Sequence, residues 1–81
     1  GNRKGEATAL LSASMLLYDL GDNHRSLEYA EKSLPLWREL KDVENEVEAL
    51  SVIGAVNNQF GNKQKTIETH KLALQLSRSA G

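Results

Sequence analysis

The sequence predicts an all-α fold of four helices arranged as two antiparallel helix–turn–helix hairpins. Apolar residues recur at helical spacing along the chain, whereas no alternating β-branched run extends beyond a few residues. A bend made of a large apolar residue, glycine and Asp or Asn occurs twice, at 20–22 and at 60–62. Because self-similarity at a fixed period is typical of stacked repeats, we predict one domain over residues 1–81 with two repeats, 1–40 and 41–80.

A shift of forty residues aligns the two halves of the sequence. The identical pairs are Glu6 and Glu46, Ala9 and Ala49, Leu10 and Leu50, Gly21 and Gly61, Glu28 and Glu68, Leu34 and Leu74, Leu36 and Leu76, and Arg38 and Arg78. Gly81 has the same phase as Gly1, so the sequence holds two repeats plus one residue. We therefore expect a piece of a longer repeat array, cut at repeat boundaries.

The first helix is predicted from Glu6 to Leu20, a stretch without Gly or Pro. Helical spacing predicts its core stripe to be Leu10, Ala13, Leu17 and Leu20. Gly21 then provides the permissive backbone of a helix C′ position. Either Asp22 or Asn23 is the predicted N-cap of the following helix.

The second helix contains Pro35, the one proline of the chain. Its predicted core stripe is Leu27, Ala30, Leu34 and Trp37. A proline inside a helix removes one backbone hydrogen bond and crowds the carbonyl of the residue four positions earlier, here Glu31. We favour a helix that continues through Pro35 with a kink. In the alternative, the helix ends there and residues 36–40 form a separate turn.

The joint between the two repeats is the least regular part of the sequence. The first repeat opens with GNRKGE, whereas the second opens with KDVENE at 41–46 and lacks both glycines, and residues 36–53 contain neither Gly nor Pro. We favour a turn, with Asp42 or Asn45 as the N-cap of the third helix. In the alternative, one continuous helix runs through 36–53, and the two hairpins separate and pair with those of another chain as a domain-swapped dimer.

The second repeat predicts two further helices on either side of the second bend. The predicted core stripe of the third helix is Ala49, Leu50, Ile53, Val56 and Phe60. The predicted core stripe of the fourth helix is Ile67, Leu74 and Leu76. These two helices complete the second hairpin.

The composition narrows the class of partner. A chain of 81 residues with 40% hydrophobic and 26% charged residues suits one small globular domain. The net charge of −1 gives no electrostatic reason to expect nucleic acid or an anionic membrane as a partner. No apolar run approaches the roughly 20 residues of a membrane-spanning helix. The absence of cysteine excludes disulfides and thiolate metal sites and is compatible with a reducing compartment, so we predict a cytoplasmic protein.

No residue pattern predicts catalysis, a cofactor or a metal. The two histidines, His24 and His70, occupy different places in their repeats, so we do not expect them to face each other. Glu44, Glu46 and Glu48 alternate along the third helix, which spreads their side chains around its axis, and we expect a solvated helix start. The serines lack a nucleophile elbow and an adjacent base, and no glycine loop is built to bind phosphate.

The tandem hairpins resemble the tetratricopeptide repeat. The resemblance lies in the bend between their two antiparallel helices, which consists of a large apolar residue, glycine and Asp or Asn. In that family a small residue packs the first helix of each repeat on the second, and Ser14 and Gly54 occupy this place. The family's Ala-Leu-x-Leu pattern in the second helix appears as SLPL at 33–36 and as ALQL at 73–76. The resemblance covers essentially the whole chain.

The chain departs from the usual pattern of the family at two places. Leu17 and Asn57 stand where the first helix usually has tyrosine, and Arg38 and Arg78 replace the usual helix-ending proline. The unit is also longer than the usual length of about 34 residues. In this it is similar to the forty-residue subtype of kinesin light chains and of bacterial arrays, many of them cyanobacterial. The joint of those arrays often reads Gly-Asp-Arg-x-Gly-Glu-Ala, which GNRKGEA at 1–7 closely matches.

The resemblance implies a short right-handed superhelix that acts as a non-enzymatic protein-binding scaffold. In such stacks the first helices of the repeats line a concave face, where peptides or partner helices usually bind. Leu11, Met15 and Tyr18 follow i, i+4, i+7 spacing beside the core stripe, so the first helix is apolar nearly all round. The partner-binding residues that the resemblance implies are Leu11, Met15, Tyr18, Asp19, Val52, Ala55, Asn58 and Gln59.

Three uses of the apolar first helix stay open at this point: packing on a preceding repeat, a groove for a protein or peptide, and a self-association surface. Two repeats without a polar capping helix leave apolar faces at both ends, so we also expect a homodimer or end-to-end self-association. Members of the family that bind chaperones use a carboxylate clamp, which needs Lys, Arg and Asn at set positions. Ser12, Met15 and Val52 do not supply these residues, so we do not expect chaperone binding.

Overall fold

Four α-helices follow one another along the chain in the computed structural model, which describes residues 2–80. The helices are α1 (Arg3–Asp19), α2 (Asn23–Glu39), α3 (Val43–Gln59) and α4 (Lys63–Ala80). No residue of the described range lies in a β-strand. Helix α1 packs along α2, α3 packs along α4, and α2 and α3 join the two hairpins. The predicted all-α fold of two hairpins is confirmed. Gly1 and Gly81, whose shared phase suggested the repeat boundaries, lie outside the described residues.

The same three-residue corner connects each helix to the next. The corners are Leu20–Gly21–Asp22, Leu40–Lys41–Asp42 and Phe60–Gly61–Asn62. The first residue of each has a right-handed helical backbone, and the second has a positive φ of 85°, 56° and 77° in chain order. The third accepts a hydrogen bond of 3.2 Å from the backbone N–H three residues further on. The structural corner therefore recurs every twenty residues, at half the predicted repeat length.

Backbone hydrogen bonds explain why these corners end the helices. In the first corner the Gly21 N–H donates to the Tyr18 carbonyl at 3.0 Å, and the Asp22 N–H donates to the Leu17 carbonyl at 2.8 Å. The other two corners have the same pair of bonds. This Schellman arrangement satisfies carbonyls that would otherwise be unpaired, and it requires a left-handed backbone at the second residue, which glycine adopts readily.

The joint between the hairpins turns, as favoured from the sequence. Lys41 takes the left-handed conformation that Gly21 has in the first corner, and Asp42 is the N-cap of α3. The continuous helix over 36–53 is therefore wrong, and the domain-swapped dimer loses the helix on which it depended. Asn45, the other candidate cap, lies in the first turn of α3 and donates its side-chain amide to Asp42 at 2.9 Å.

The core lies where α1, α2 and α3 meet. It is formed by Ala7, Leu11, Leu36, Trp37 and Ala49. Helix α2 continues without interruption through Pro35 to Glu39, because the described helix includes the proline. The alternative of a separate turn at 36–40 is therefore wrong. This continuity places Trp37, which is 1% exposed, against both α1 and α3.

The predicted core stripe of α1 is wrong by about one residue. The buried residues are Ala7, Leu11 and Ser14, whereas Leu10, Ala13 and Leu17 are half-buried and Leu20 is 72% exposed. Apolar residues run nearly all round this helix, so their spacing did not single out one face. The small Ala7 and Ser14 form the contact face because they let the neighbouring helices approach.

In α2, Ala30 and Trp37 are buried as predicted, while Leu27 and Leu34 are half-buried. Two buried serines, Ser26 and Ser33, lie outside the predicted core stripe. The Ser33 hydroxyl donates to the carbonyl of Ala30 at 2.8 Å, which satisfies it inside its own helix. Because these buried positions hold polar residues, the spacing of apolar residues does not identify this face of α2.

In α3 the prediction is confirmed at every position except the last. Ala49, Leu50, Ile53 and Val56 are buried, whereas Phe60 belongs to the corner and is 43% exposed.

The prediction for α4 is wrong. Ile67 and Leu74 are 54% and 45% exposed, Leu76 is half-buried, and the buried residues are Thr69 and Ala73. Among the described helices, α4 packs on α3 alone. Its contact therefore needs only one narrow face of small residues, and most of the rest of the helix is exposed.

A side-chain hydrogen bond ties the two helices of each hairpin together at equivalent positions. The Ser26 hydroxyl donates to the carbonyl of Ser14 at 2.7 Å, and the Thr66 hydroxyl donates to the carbonyl of Gly54 at 3.3 Å. At Gly54 an added Cβ would lie 3.1 Å from Thr69 Oγ1. The small residues at these two places therefore let the helices of each hairpin approach closely.

Candidate partner-binding surfaces

The partner-binding residues suggested by the sequence all lie on α1 and α3, and all but one of them reach the surface. Leu11 belongs to the core and is 4% exposed, because α3 packs over it, so it offers almost no surface to a partner. The remaining residues form what we call the α1–α3 surface, defined as Met15, Tyr18, Asp19, Val52, Ala55, Asn58 and Gln59.

The α1–α3 surface has a half-buried apolar floor and an exposed polar edge. Met15 of α1 and Val52 of α3 both pack against the core cluster, which brings the two helices together at this surface. Tyr18 and Ala55 follow three residues further along the same helices and are also half-buried. The exposed residues are Asp19, Asn58 and Gln59.

A groove of about 490 Å³ continues this surface between α3 and α4. Its polar lining includes Ser51, Asn58, Thr66, Thr69 and His70. Gly54, Ala55 and Ala73 add small side chains or none, which leaves the groove wide. We call it the α3–α4 groove, and the sequence reasoning did not identify it. Its signal would have been the run of small residues on facing positions of the two helices.

The corresponding place in the first hairpin is filled by α3. Leu11 and Ala30 lie forty residues before Ser51 and His70, and they are 4% and 0% exposed. Leu11 shares the core cluster with Ala49 of α3. Ser51 and His70 are themselves exposed, because no described helix packs over α3 and α4 in this way. The α3–α4 groove is thus equivalent to the place between α1 and α2 that α3 covers in the first hairpin, and no described helix covers it.

A second groove, of about 360 Å³, lies on the side of the molecule where α2 and α4 flank α3. Its apolar floor is formed by Leu34, Pro35, Ile53 and Leu72, and charged residues Glu31, Arg38 and Lys65 line its edge. We call it the α2–α4 groove. Because its charged residues are of both signs, it has no overall preference for an acidic or a basic partner.

An ion pair joins the two hairpins. Arg38 Nε of α2 lies 2.9 Å from Glu46 Oε2 of α3, and Glu46 is 8% exposed. The expectation that Glu44, Glu46 and Glu48 form a solvated helix start is therefore wrong for Glu46, although the other two are exposed. The alternating spacing directs Glu46 alone towards α2.

The N-terminus of α3 also carries a carboxylate held by hydrogen bonds. The Asn45 side-chain amide donates to Asp42 at 2.9 Å, and the Asn45 backbone N–H donates to it at 3.2 Å. These two bonds, the side-chain bond first, lower the pKa of Asp42 from its ordinary value, and the charge of Lys4 acts in the same direction. Both bonds favour the charged form of the cap.

The two histidines lie on different surfaces. The His24 ring is 4.9 Å from the ring of Phe60, at the corner between α3 and α4, whereas His70 lines the α3–α4 groove. Within residues 2–80, no group of three or more His, Asp or Glu side chains is placed to hold a metal ion. None of the four described helices has the length and hydropathy that a membrane span requires.

Comparison with known proteins adds one finding. A family model described as a tetratricopeptide repeat matches residues 5–79, which include nearly all of the four helices. No curated protein and no solved structure matches the chain.

Proposed function

Because the chain belongs to the tetratricopeptide repeat family, whose members are generally protein–protein interaction scaffolds, we propose that it binds a peptide or a helix of another protein on the α1–α3 surface. The observation that carries this proposal is the pairing of Met15 with Val52. Both are half-buried side chains on neighbouring helices, and exposed polar residues lie beside them. A partly apolar floor with a polar rim is the usual composition of a protein interface.

The chemistry of the surface favours a particular kind of ligand. Asp19 is the one charged residue of the α1–α3 surface, and the others are apolar or carry side-chain amide or hydroxyl groups. We therefore propose a peptide with an apolar anchor for the floor and a neutral or basic residue opposite Asp19. The proposal includes a non-enzymatic role, a cytoplasmic location, repeats at 1–40 and 41–80 and membership of the forty-residue subtype, all of which stay predictions.

The test is a selection of peptides from a random library against the chain, followed by affinity measurements with surface variants. Asp19→Lys and Asn58→Lys each place a charge on the α1–α3 surface without touching the core, because both residues are exposed. We expect each to weaken the selected peptides about tenfold. Gln75→Lys is the matched control, since Gln75 is exposed on α4 and does not line the α3–α4 groove. Selected peptides that bind all three variants equally would contradict this role.

Self-assembly through apolar faces is the second candidate function. Leu16 of α1 is 60% exposed and Leu20 at the first corner is 72% exposed, so the chain presents large apolar side chains outside the α1–α3 surface. A variant with Met15→Lys and Tyr18→Ser separates the two modes of self-association. Loss of oligomers with an intact fold favours contact through the α1–α3 surface, whereas retained oligomers favour contact through the ends of the molecule.

A further inference from the structure

The junction between α2 and α3 provides a template for how another helix can pack on this chain. On the side of α3 that meets the first hairpin, Glu46 pairs with Arg38, Ala49 is 0% exposed within the core cluster, and Ile53 is 2% exposed. Val56 on α3 is 0% exposed, whereas its equivalent Leu16 on α1 is 60% exposed. Because α1 and α3 each pack on a following helix, the extra burial on α3 comes from the preceding hairpin.

Helix α1 carries the same pattern on a face that no described helix covers. Glu6, Ala9, Ala13 and Leu16 lie forty residues before Glu46, Ala49, Ile53 and Val56. Glu6, Ala9 and Leu16 are exposed, and Ala13 is half-buried. This face of α1, which we call the head face, therefore has the acidic residue and the small or apolar residues that α3 uses to pack on the first hairpin.

The other end of the molecule carries the complementary half of the template. Arg78 and Leu74 of α4 are the equivalents of Arg38 and Leu34 of α2, and both are exposed. Beside them the α3–α4 groove offers about 490 Å³ between the helices, where the first hairpin accommodates α3. We call this surface the tail face. Its basic residue stands where the template requires a partner for a carboxylate.

We propose that a second copy of this chain docks its head face into the tail face, so that copies add head to tail. In this arrangement Glu6 of the second copy pairs with Arg78, and its Ala9, Ala13 and Leu16 enter the α3–α4 groove. This deepens the self-assembly candidate and rests on it. Because each added copy leaves one head face and one tail face free, the contact is heterologous and produces growing chains of copies instead of a closed dimer.

The proposed contact is weaker than the internal junction. Ser51 and His70 in the α3–α4 groove replace Leu11 and Ala30, which are buried apolar residues in the first hairpin. On the head face Ala13 is also smaller than its equivalent Ile53, and the polar Ser12 stands where α3 has Val52, which packs against the core. The second copy therefore buries less apolar surface than α3 does, and the association is reversible and depends on concentration.

A charge-swap experiment tests the pairing directly. Sedimentation velocity on the full chain is expected to show an average mass that keeps rising with concentration. Arg78→Glu and Glu6→Arg are each expected to weaken association about tenfold, since each places like charges in contact. An equimolar mixture of the two variants restores it, because the introduced glutamate of one chain then meets the introduced arginine of the other. Lys63→Glu, the same charge change at an exposed residue outside the groove, leaves association unchanged.

Other results would overturn the proposal and are distinguishable from each other. A monomer at all concentrations overturns both the head-to-tail contact and self-assembly itself. A dimer that stops growing, or association lost only in the Met15→Lys and Tyr18→Ser variant, leaves self-assembly standing and overturns the head-to-tail contact. Variants that associate like the original chain, or a mixture that fails to recover, overturn the Glu6–Arg78 pairing. Circular dichroism and the fluorescence of the buried Trp37 verify that each variant is folded.

Discussion

At the scale of single residues, Lys41 carries the clearest local cost. Among residues 2–80 it is the one residue other than glycine with a positive φ, 56°. A side chain in this region costs about 1–2 kcal/mol relative to the right-handed region. The corner forms nevertheless because its hydrogen bonds to Arg38 and Trp37 and the Asp42 cap are all made.

The Lys41→Gly variant is expected to be more stable than the original chain. Glycine removes the left-handed strain but loses more backbone entropy on folding, about 0.5–1 kcal/mol, so the net gain is about 0.5–1 kcal/mol. Urea unfolding followed by Trp37 fluorescence measures it. Lys71→Gly, at an exposed position in the interior of α4, is the control and is expected to lose about 1 kcal/mol. An unchanged or lower stability for Lys41→Gly would show that the corner does not hold this conformation.

Asp42 is the residue for which a pH effect is expected. Its pKa is lower in the folded chain than in the unfolded chain, so protonation favours unfolding. The stabilisation is complete above the unfolded pKa of about 3.9 and is lost as the pH falls through the lower folded pKa. The Asn45→Ala variant is expected to raise the pKa of Asp42, because it removes the side-chain hydrogen bond.

A carboxyl NMR titration measures that pKa in each variant. Arg25 holds the same place after Asp22 as Asn45 does after Asp42, so Arg25→Ala is the matched control and is expected to leave the pKa of Asp42 unchanged. The same pKa in both variants would rule out Asn45 as the main cause.

At the scale of elements, the sequence was most informative where packing on both sides selects one apolar face. Helix α3 lies between two neighbours, and Ala49, Leu50, Ile53 and Val56 are buried as predicted. Helix α1 is apolar nearly all round and α4 packs on one neighbour only, so spacing alone misplaced Leu20 and Ile67. These two errors have opposite physical causes: too much apolar surface in α1, and too few neighbours for α4.

The corners show a different limit of sequence reasoning. The bends at Gly21 and Gly61 were recognised because glycine marks a left-handed residue. The corner at Lys41 was treated as an irregular joint because it lacks that mark, although Leu40 and Asp42 flank it as Leu20 and Asp22 flank Gly21. An alignment by twenty residues would have identified it. The α3–α4 groove was missed because its small residues suggested helix packing alone.

The hydrogen bond from Ser26 to Ser14 is expected to stabilise the first hairpin. Both residues are 0% exposed and the bond is 2.7 Å long, so Ser26→Ala is expected to lower stability by about 1 kcal/mol. Urea unfolding measures the change. Ser51→Ala is the control, since the exposed Ser51 hydroxyl donates within its own helix, and it is expected to change stability little. Equal effects of the two substitutions would mean that the bond between the helices contributes nothing.

At the scale of the whole molecule, the stacking of two hairpins produces two kinds of surface. The α1–α3 surface runs along the first helices of both hairpins, and Ala55 and Asn58 extend it into the α3–α4 groove. The head and tail faces lie at the ends, on α1 and α4, which do not touch each other in the structure. A second copy seated on the tail face would cover Ala55 and Asn58, so peptide binding and assembly are expected to compete there.

The most direct test of the proposed scaffold role is an NMR map of a library-selected peptide on the isotope-labelled chain, at a concentration where the chain is monomeric. We expect the largest amide shift changes at Met15, Tyr18, Asp19, Val52, Ala55, Asn58 and Gln59. Shift changes confined to the α2–α4 groove, at Leu34, Pro35 and Leu72, would contradict the assignment of partner binding to the α1–α3 surface.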